Sequence, residues 1–153
     1  MRRVAFYLLL FLAMLTSIVA LDLQGRLPDW LRQVALPFRC VLAGGFGGCA
    51  YCLRAVYLNA CVKKKWDHEW HPWYYIRPFV SMVCGGASFV FLRAGLLVLE
   101  SNTKTDATQW GFIALAFVAG LNVDKFVTKI EEIAQAVWGI EKSRTSKSSG
   151  DAD

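Results

Sequence analysis

The residues best suited to chemistry are concentrated between positions 63 and 71, where three lysines precede two tryptophans, two histidines and two acidic residues. Imidazole and carboxylate groups are ligands for zinc. A helical pair of metal ligands usually has a four-residue spacing, and the sequence has no second cluster of such ligands. We therefore expect no metal site and no cofactor. We interpret the stretch as an interfacial loop, with Lys63, Lys64 and Lys65 contacting acidic lipid headgroups.

Five cysteines offer a second kind of chemistry. Cys49 and Cys52 form a C-x-x-C pair, which is the spacing of thiol–disulfide enzymes. The pair lies within a long apolar segment, where a thiolate would be strongly destabilised. We interpret all five cysteines as small packing residues and expect neither a redox centre nor a disulfide framework. No Ser-His-Asp grouping or carboxylate pair can be assembled in the apolar segments, so we expect no catalytic residues and no enzyme.

Three arginines, Arg39, Arg54 and Arg93, interrupt otherwise apolar segments. A charged side chain at membrane depth is expensive and marks a functional site by default. Each of the three lies near enough to a segment end to extend its guanidinium towards lipid headgroups. The alternative is an inward role, in which Arg54 and Arg93 pair with carbonyls or line a polar path. Glu100 is then the acid best placed to pair with Arg93.

The composition around these residues is typical of a membrane protein. Of 153 residues, 56% are hydrophobic and 19% are charged, whereas soluble domains average about 45–50% apolar and about 25% charged. The net charge is +5, but the basic residues separate apolar runs instead of lining one face, which argues against a nucleic-acid partner. The sequence therefore predicts an all-α integral membrane protein with lipids as its surroundings.

Four apolar segments are predicted to cross the bilayer and form a transmembrane domain over residues 1–123: 4–21, 40–62, 78–99 and 109–123. A helical span needs about 20 residues. The first segment has a cleavable signal peptide as its alternative interpretation, and we expect it to be retained. The fourth is short and has a re-entrant element as its alternative. Pro78 is predicted in the first turn of the third helix, where its missing N–H costs nothing.

A C-terminal amphipathic helix is predicted over residues 124–142, followed by a disordered tail over residues 143–153. Asn122 or Asp124 would cap this helix if the chain breaks near Gly120. Its apolar residues recur at four- and three-residue steps, as in a coiled-coil seam: Phe126, Ile130, Ile133, Val137 and Ile140. Basic and acidic charges balance along the helix, which favours a seam buried against protein over a helix held on anionic lipid. The partner is a second copy, another protein or the chain's own cytoplasmic loop.

Small residues four positions apart allow helix backbones to approach within a bilayer. Such pairs occur in three of the predicted spans: Gly44 with Gly48, Ser81 with Gly85, and Ala116 with Gly120. One interpretation is packing inside a single four-helix bundle. The other is that the glycine-rich face meets a neighbouring subunit or lies beside a pore. Together with the seam, these pairs lead us to expect a homo-oligomer.

The distribution of basic residues predicts the orientation, because short cytoplasmic loops carry the excess of Lys and Arg. Twelve of the 17 lie on the side of the N-terminus: Arg2, Arg3, Arg54, Lys63, Lys64, Lys65, Arg77, Lys125, Lys129, Lys142, Arg144 and Lys147. Both termini are therefore predicted to be cytoplasmic.

Several motifs follow one another along residues 41–138. A glycine-rich helix is followed by Leu53-Arg54, then by Trp73-Tyr74-Tyr75-Ile76-Arg77-Pro78, then by Arg93-Ala94-Gly95, and finally by a short Ala/Gly-rich span leading to Lys129. In this order and spacing the stretch resembles small uncharacterised bacterial multi-pass membrane proteins. Ala55 replaces a serine of many relatives, and Leu121-Asn122 replaces Phe-Ser. The resemblance implies the multi-span topology and carries over no catalytic or binding residue.

Two functions are compatible with these features. We expect an oligomeric protein of the bacterial inner membrane that acts as a pore or membrane-perturbing effector, in stress or phage defence. The small size, the lack of catalytic groups, the span-interrupting arginines and the helical tail motivate this hypothesis. The alternative is a structural or adaptor subunit whose C-terminal helix docks a cytoplasmic or membrane protein partner.

The predicted orientation can be tested with reporter fusions. A C-terminal green fluorescent protein should fluoresce and a C-terminal alkaline phosphatase should be inactive, because the first folds in the cytoplasm and the second only outside it. A phosphatase fused after Arg26, between the first two predicted spans, should be active and serves as the control. An active phosphatase at the C-terminus would contradict the prediction.

Overall fold

The computed structural model describes residues 2–62, 71–95 and 105–139, and every regular element within them is helical. The elements are α1 (Arg2–Leu23), α2 (Asp29–Arg32), α3 (Ala35–Tyr57) with a π-helical turn (Leu58–Val62), α4 (His71–Arg93), α5 (Thr105–Leu121) and α6 (Val123–Trp138). The all-α prediction is confirmed for this part of the chain. The predicted lipid contacts at Lys63, Lys64 and Lys65, the acid Glu100, Ile140 and the predicted tail over residues 143–153 lie outside the described residues.

Three helices are long and apolar enough to cross a membrane: Arg3–Leu23, Ala35–Ala60 and Pro72–Arg93. A fourth crossing is added if the bent pair Gln109–Leu121 and Val123–Val137 is one span. The count of three to four agrees with the three long segments and the short fourth segment of the sequence.

The third long helix begins earlier than the sequence predicts. α4 starts at His71, so Pro78 lies inside the helix and not in its first turn. The prediction for Pro78 is therefore wrong, because the aromatic residues that precede it in sequence are themselves helical and form the start of α4. Proline inside an apolar helix is tolerated where neighbouring helices satisfy or shield the freed carbonyl. After Arg93 the chain turns at Gly95, whose φ of 73° lies in the left-handed region.

α5 and α6 meet at a sharp bend of 109°. The break falls at Asn122, whose φ of −122° and ψ of 54° are not helical. Asn122 occupies the N-cap position of α6, but its side chain makes no capping hydrogen bond, and Asp124 lies in the first turn. α6 ends at Trp138, and Gly139 caps it with a left-handed φ of 67°.

α3 is the central helix, and its backbone touches those of α4 and α5 directly. A Cβ atom added to Gly44 would lie 2.8 Å from the Cα of Gly85, and one added to Gly120 would lie 2.7 Å from the Cα of Gly44. One added to Gly48 would overlap the side chain of Ser81. The Ser81 hydroxyl donates a hydrogen bond to the Gly120 carbonyl oxygen across 3.0 Å. The predicted packing residues of α3, α4 and α5 thus meet within one chain.

α1 packs along α3 and also contacts α4, where the Phe11 and Phe79 ring centres lie 5.3 Å apart. Val4 and Leu8 are fully buried in a cluster with Cys52 and Val56, near the end of α3. Further along, Leu15 is fully buried in a cluster that includes Leu42, Phe11 and Cys49. α1 and α3 are therefore antiparallel. The outward side of α1 carries exposed apolar side chains: Phe6, Leu9, Leu10 and Met14.

The packing defines two ends of the bundle. The start of α1, the end of α3 and the start of α4 meet in one cluster, and the Asn59 amide donates to the Tyr74 hydroxyl across 3.1 Å. We call this the α6 end. At the other end, Cys40 of α3 lies in a cluster with Phe89 of α4 and Phe112 of α5. We call this the α2 end.

The close backbone contact at Gly44 allows a prediction about stability. We expect Gly44→Ala to lower the free energy of unfolding by about 1–3 kcal/mol, because the three atoms nearest the added methyl are backbone atoms of α4, which cannot move aside as a side chain can. Gly86→Ala is the matched control, since its Cβ would meet a single side-chain atom of Val41 at 3.1 Å. Denaturant titration followed by circular dichroism in detergent measures both. Equal stabilities of the two variants would contradict the prediction.

Candidate functional site

An ion pair joins α4 to α6 at the α6 end. Nη1 and Nη2 of Arg77 donate to the two carboxylate oxygens of Asp124, across 3.0 and 2.9 Å. The Arg77 side chain is only 7% exposed, whereas that of Asp124 is 77% exposed. Two parallel charge-assisted hydrogen bonds fix both distance and orientation. The pair therefore holds the first turn of α6 against α4.

Aromatic rings enclose the Arg77 guanidinium. Its central carbon lies 4.9 Å from the centre of the Tyr51 ring and 5.2 Å from that of Trp73, within the range of cation–π attraction. The Trp73 and Tyr74 rings contact each other edge to face, with their centres 5.0 Å apart. The Nε atom of Arg77 is buried and makes no hydrogen bond to any described residue. Within that part of the chain, Asp124 is thus the only carboxylate that balances the buried charge.

A second arginine–aspartate pair joins α1 to α3 at the α2 end. Nε of Arg39 donates to Oδ2 of Asp22 across 2.7 Å, and Nη2 donates to Oδ1 across 3.3 Å. Here the arginine side chain is 40% exposed and the aspartate is 11% exposed. The two pairs therefore present opposite charges to the surroundings. The pair at the α2 end presents its cation, and the pair at the α6 end presents its carboxylate.

An apolar cleft of about 380 Å³ opens beside the Asp22–Arg39 pair. It lies between α1 and α5, with α3 as its floor, and Asp22, Arg39, Gln109 and Trp110 line it together with deeper apolar side chains. Its volume falls in the range of about 300–1,000 Å³ that is usual for small-molecule pockets. The cleft combines an apolar wall with a few polar groups, which is the arrangement that binds amphipathic molecules.

The other residues that the sequence singled out are dispersed. Arg54 and Arg93 are both exposed, and neither pairs with a carboxylate in the part of the chain that the structure describes. The described seam residues of α6 differ in exposure: Phe126, Ile130 and Ile133 are half-buried, and Val137 is 52% exposed. Ala116 is fully buried on α5. Cys40, Cys49, Cys52 and Cys84 are buried free thiols.

Sequence reasoning missed both ion pairs. From the sequence, Arg77 was interpreted as a charge that indicates orientation and as part of a resemblance motif, and Asp124 as a possible helix cap. The available signal was that each acid and its arginine lie close to the ends of apolar segments that are neighbours in an antiparallel bundle.

Comparison of the chain with known proteins gives no match: no protein-family model, no curated protein and no solved structure matches it.

The buried arginine at the α6 end allows a second stability prediction. We expect Asp124→Asn to lower the free energy of unfolding by about 1–3 kcal/mol, because a buried guanidinium loses its charged partner. Denaturant titration in detergent measures the loss. Asp29→Asn is the matched control and should change little, since its 3.6 Å pair with Arg32 is exposed.

Removing both charges separates the ion pair from other effects of the substitution. The double variant Arg77→Met with Asp124→Asn should recover most of the lost stability, because it leaves no unpaired buried charge. A double variant as unstable as Asp124→Asn alone would show that the pairing is not the cause.

Proposed function

We propose that this chain is a non-enzymatic structural or adaptor subunit of the bacterial inner membrane, with both termini cytoplasmic, whose α6 docks a protein partner. Three long apolar helices support the membrane placement. Large apolar side chains on the outward faces of α1 and α4 support it as well, because such surfaces are stable in lipid and unfavourable in water: Phe6, Leu9, Leu10, Phe79, Val83 and Val90.

The single observation that carries the adaptor proposal is the fixed angle of α6. The helix turns 109° from α5 and is tied to α4 by the Arg77–Asp124 pair. In this proposal α5 alone, 17 residues long, is the fourth crossing, and the bend then lays α6 along the cytoplasmic surface. There the pair holds α6 in one orientation, so a partner meets a helix that is ordered before binding. Preorganisation of this kind improves affinity by lowering the cost of ordering.

The chemistry of α6 indicates the kind of partner. Val127 and Val137 are 43% and 52% exposed, so apolar surface remains available on the helix. The charges are mixed, with Lys129 bonded to Glu132 across 3.0 Å, and they provide no strong attraction to anionic lipid. We assign the partner as a protein that offers a complementary apolar helix face.

The oligomeric pore or membrane-perturbing effector would need other surfaces than the glycine-rich one. Gly44, Gly48 and Gly120 make their close contacts within one chain, so their small surfaces are occupied. A second copy would then have to bind the outward face of α1 or the seam of α6. We therefore place the adaptor function ahead of the pore.

The adaptor proposal is tested with a photo-crosslinking amino acid at position 127 of the full-length chain, in intact cells. We expect a crosslinked protein adduct that Val137→Asp and Ile133→Asp each reduce at least about tenfold. Burying a carboxylate in the interface costs more than the roughly 1.4 kcal/mol that corresponds to a tenfold loss of affinity. Gln135→Asp adds the same charge on the opposite side of α6 and serves as the control, for which the adduct should persist.

Two results would overturn the adaptor proposal. One is an adduct that all three variants retain equally. The other is an adduct that consists only of a second copy of this chain, together with ion leakage from liposomes that contain the purified protein. The second result would establish the oligomeric pore instead.

A further inference from the structure

The cleft between α1 and α5 changes in polarity along its length. Its polar lining groups, Asp22, Arg39 and Gln109, all lie within about two turns of a helix end at the α2 end of the bundle. The deeper lining is apolar and includes Leu42 and Phe46. From Arg39 to Phe46 the chain advances seven helical residues, which is about 10 Å. The cleft is therefore an apolar groove on the side of the protein, and its polar groups lie at one end.

The ion pair at that end exposes its cation to the cleft. Arg39 uses one edge of its guanidinium, Nε and Nη2, to bind Asp22. Nη1 makes no hydrogen bond to a described residue, and the side chain is 40% exposed whereas that of Asp22 is 11% exposed. A second anion can thus approach Arg39 without displacing Asp22. A phosphate group suits this geometry because guanidinium binds phosphate through paired donors.

We infer that the cleft binds one anionic phospholipid, with its phosphate at Arg39 and one acyl chain along Leu42 and Phe46. In the proposed membrane placement the α2 end lies at the outer surface, so headgroup and chain would be at their normal depths. Trp110, 69% exposed at the mouth of the cleft, is a residue type that prefers this level of the bilayer. The inference rests on the membrane placement and is independent of any partner of α6.

Lipid binding is measured by native mass spectrometry of the full-length protein released from detergent. The probes are a phosphatidylglycerol and a phosphatidylcholine with identical acyl chains, and glycerol phosphate, which has the anion without a chain. We expect phosphatidylglycerol to bind with a stoichiometry of one and about tenfold more tightly than phosphatidylcholine, because both lipids present a phosphate to Arg39 but the choline cation of phosphatidylcholine is repelled by the guanidinium. Glycerol phosphate should not compete.

Two substitutions locate the site. Val19→Trp fills the cleft and should reduce lipid retention at least about tenfold, whereas Val83→Trp places the same ring on an outward face of α4, 71% exposed, and should change nothing. The double variant Asp22→Asn with Arg39→Gln removes both charges and should abolish the preference for phosphatidylglycerol while phosphatidylcholine still binds. Circular dichroism confirms the helical content of each variant.

The inference is overturned if the unsubstituted protein retains both lipids equally, if glycerol phosphate competes as well as the lipid, or if Val19→Trp and Val83→Trp behave alike. It is also overturned if Val19→Trp instead separates a dimer into monomers, because a second copy would then occupy the cleft. The first two comparisons need no variant, so they apply even if a substitution prevents folding.

Other results bear on the other proposals. Recovery of the protein in the soluble fraction of cells would overturn the membrane placement itself. The crosslinking result at α6 affects only the adaptor proposal.

Discussion

The contact of three helix backbones around Gly44 is the constraint on which the rest of the structure depends. In a bilayer, moving an apolar side chain from lipid into a helix interface gains little free energy, because lipid tails are equally apolar. Helices therefore associate through close packing and through hydrogen bonds. Gly44 lets α3 approach α4 at Gly85 and α5 at Gly120, with no side chain between the backbones. This fixes the register of α4 against α5, which the Ser81–Gly120 hydrogen bond marks.

That register also positions the ion pair at the α6 end. Arg77 lies four residues before Ser81 on α4, and Asp124 lies four residues after Gly120 along the chain. α4 and α5 are antiparallel. Four residues back along α4 from Ser81 and four residues forward along the chain from Gly120 therefore lead to the same end of the bundle. The pair is thus set by the same packing as the small residues. A slip of α4 against α5 would separate the buried guanidinium from its carboxylate and leave it unbalanced. Stability of the core and the orientation of α6 are therefore linked.

Sequence patterns anticipated the helical class and the small-residue pairs, because periodicity and composition are local properties. They left open whether Gly44 and Gly48 contact the same chain or another, since the same spacing serves both kinds of contact. Arg77 and Asp124 are far apart in sequence, and only the register of α4 against α5 brings them together. Pro78 suggested a helix start, yet the packed aromatic residues before it extend α4 by two turns. The cleft was not predictable either, because it is a space left between α1 and α5.

In this structure α3, α4 and α5 close around Gly44 within a single chain. Pulsed electron paramagnetic resonance tests it on a cysteine-free protein with spin labels at the outward positions Val83 and Val118, on α4 and α5. We expect one narrow distance distribution that is unchanged when labelled protein is reconstituted with a tenfold excess of unlabelled protein. A distribution that weakens on dilution, or a broad one without a defined maximum, would show that these helices pair between chains or do not pack closely, and would contradict it.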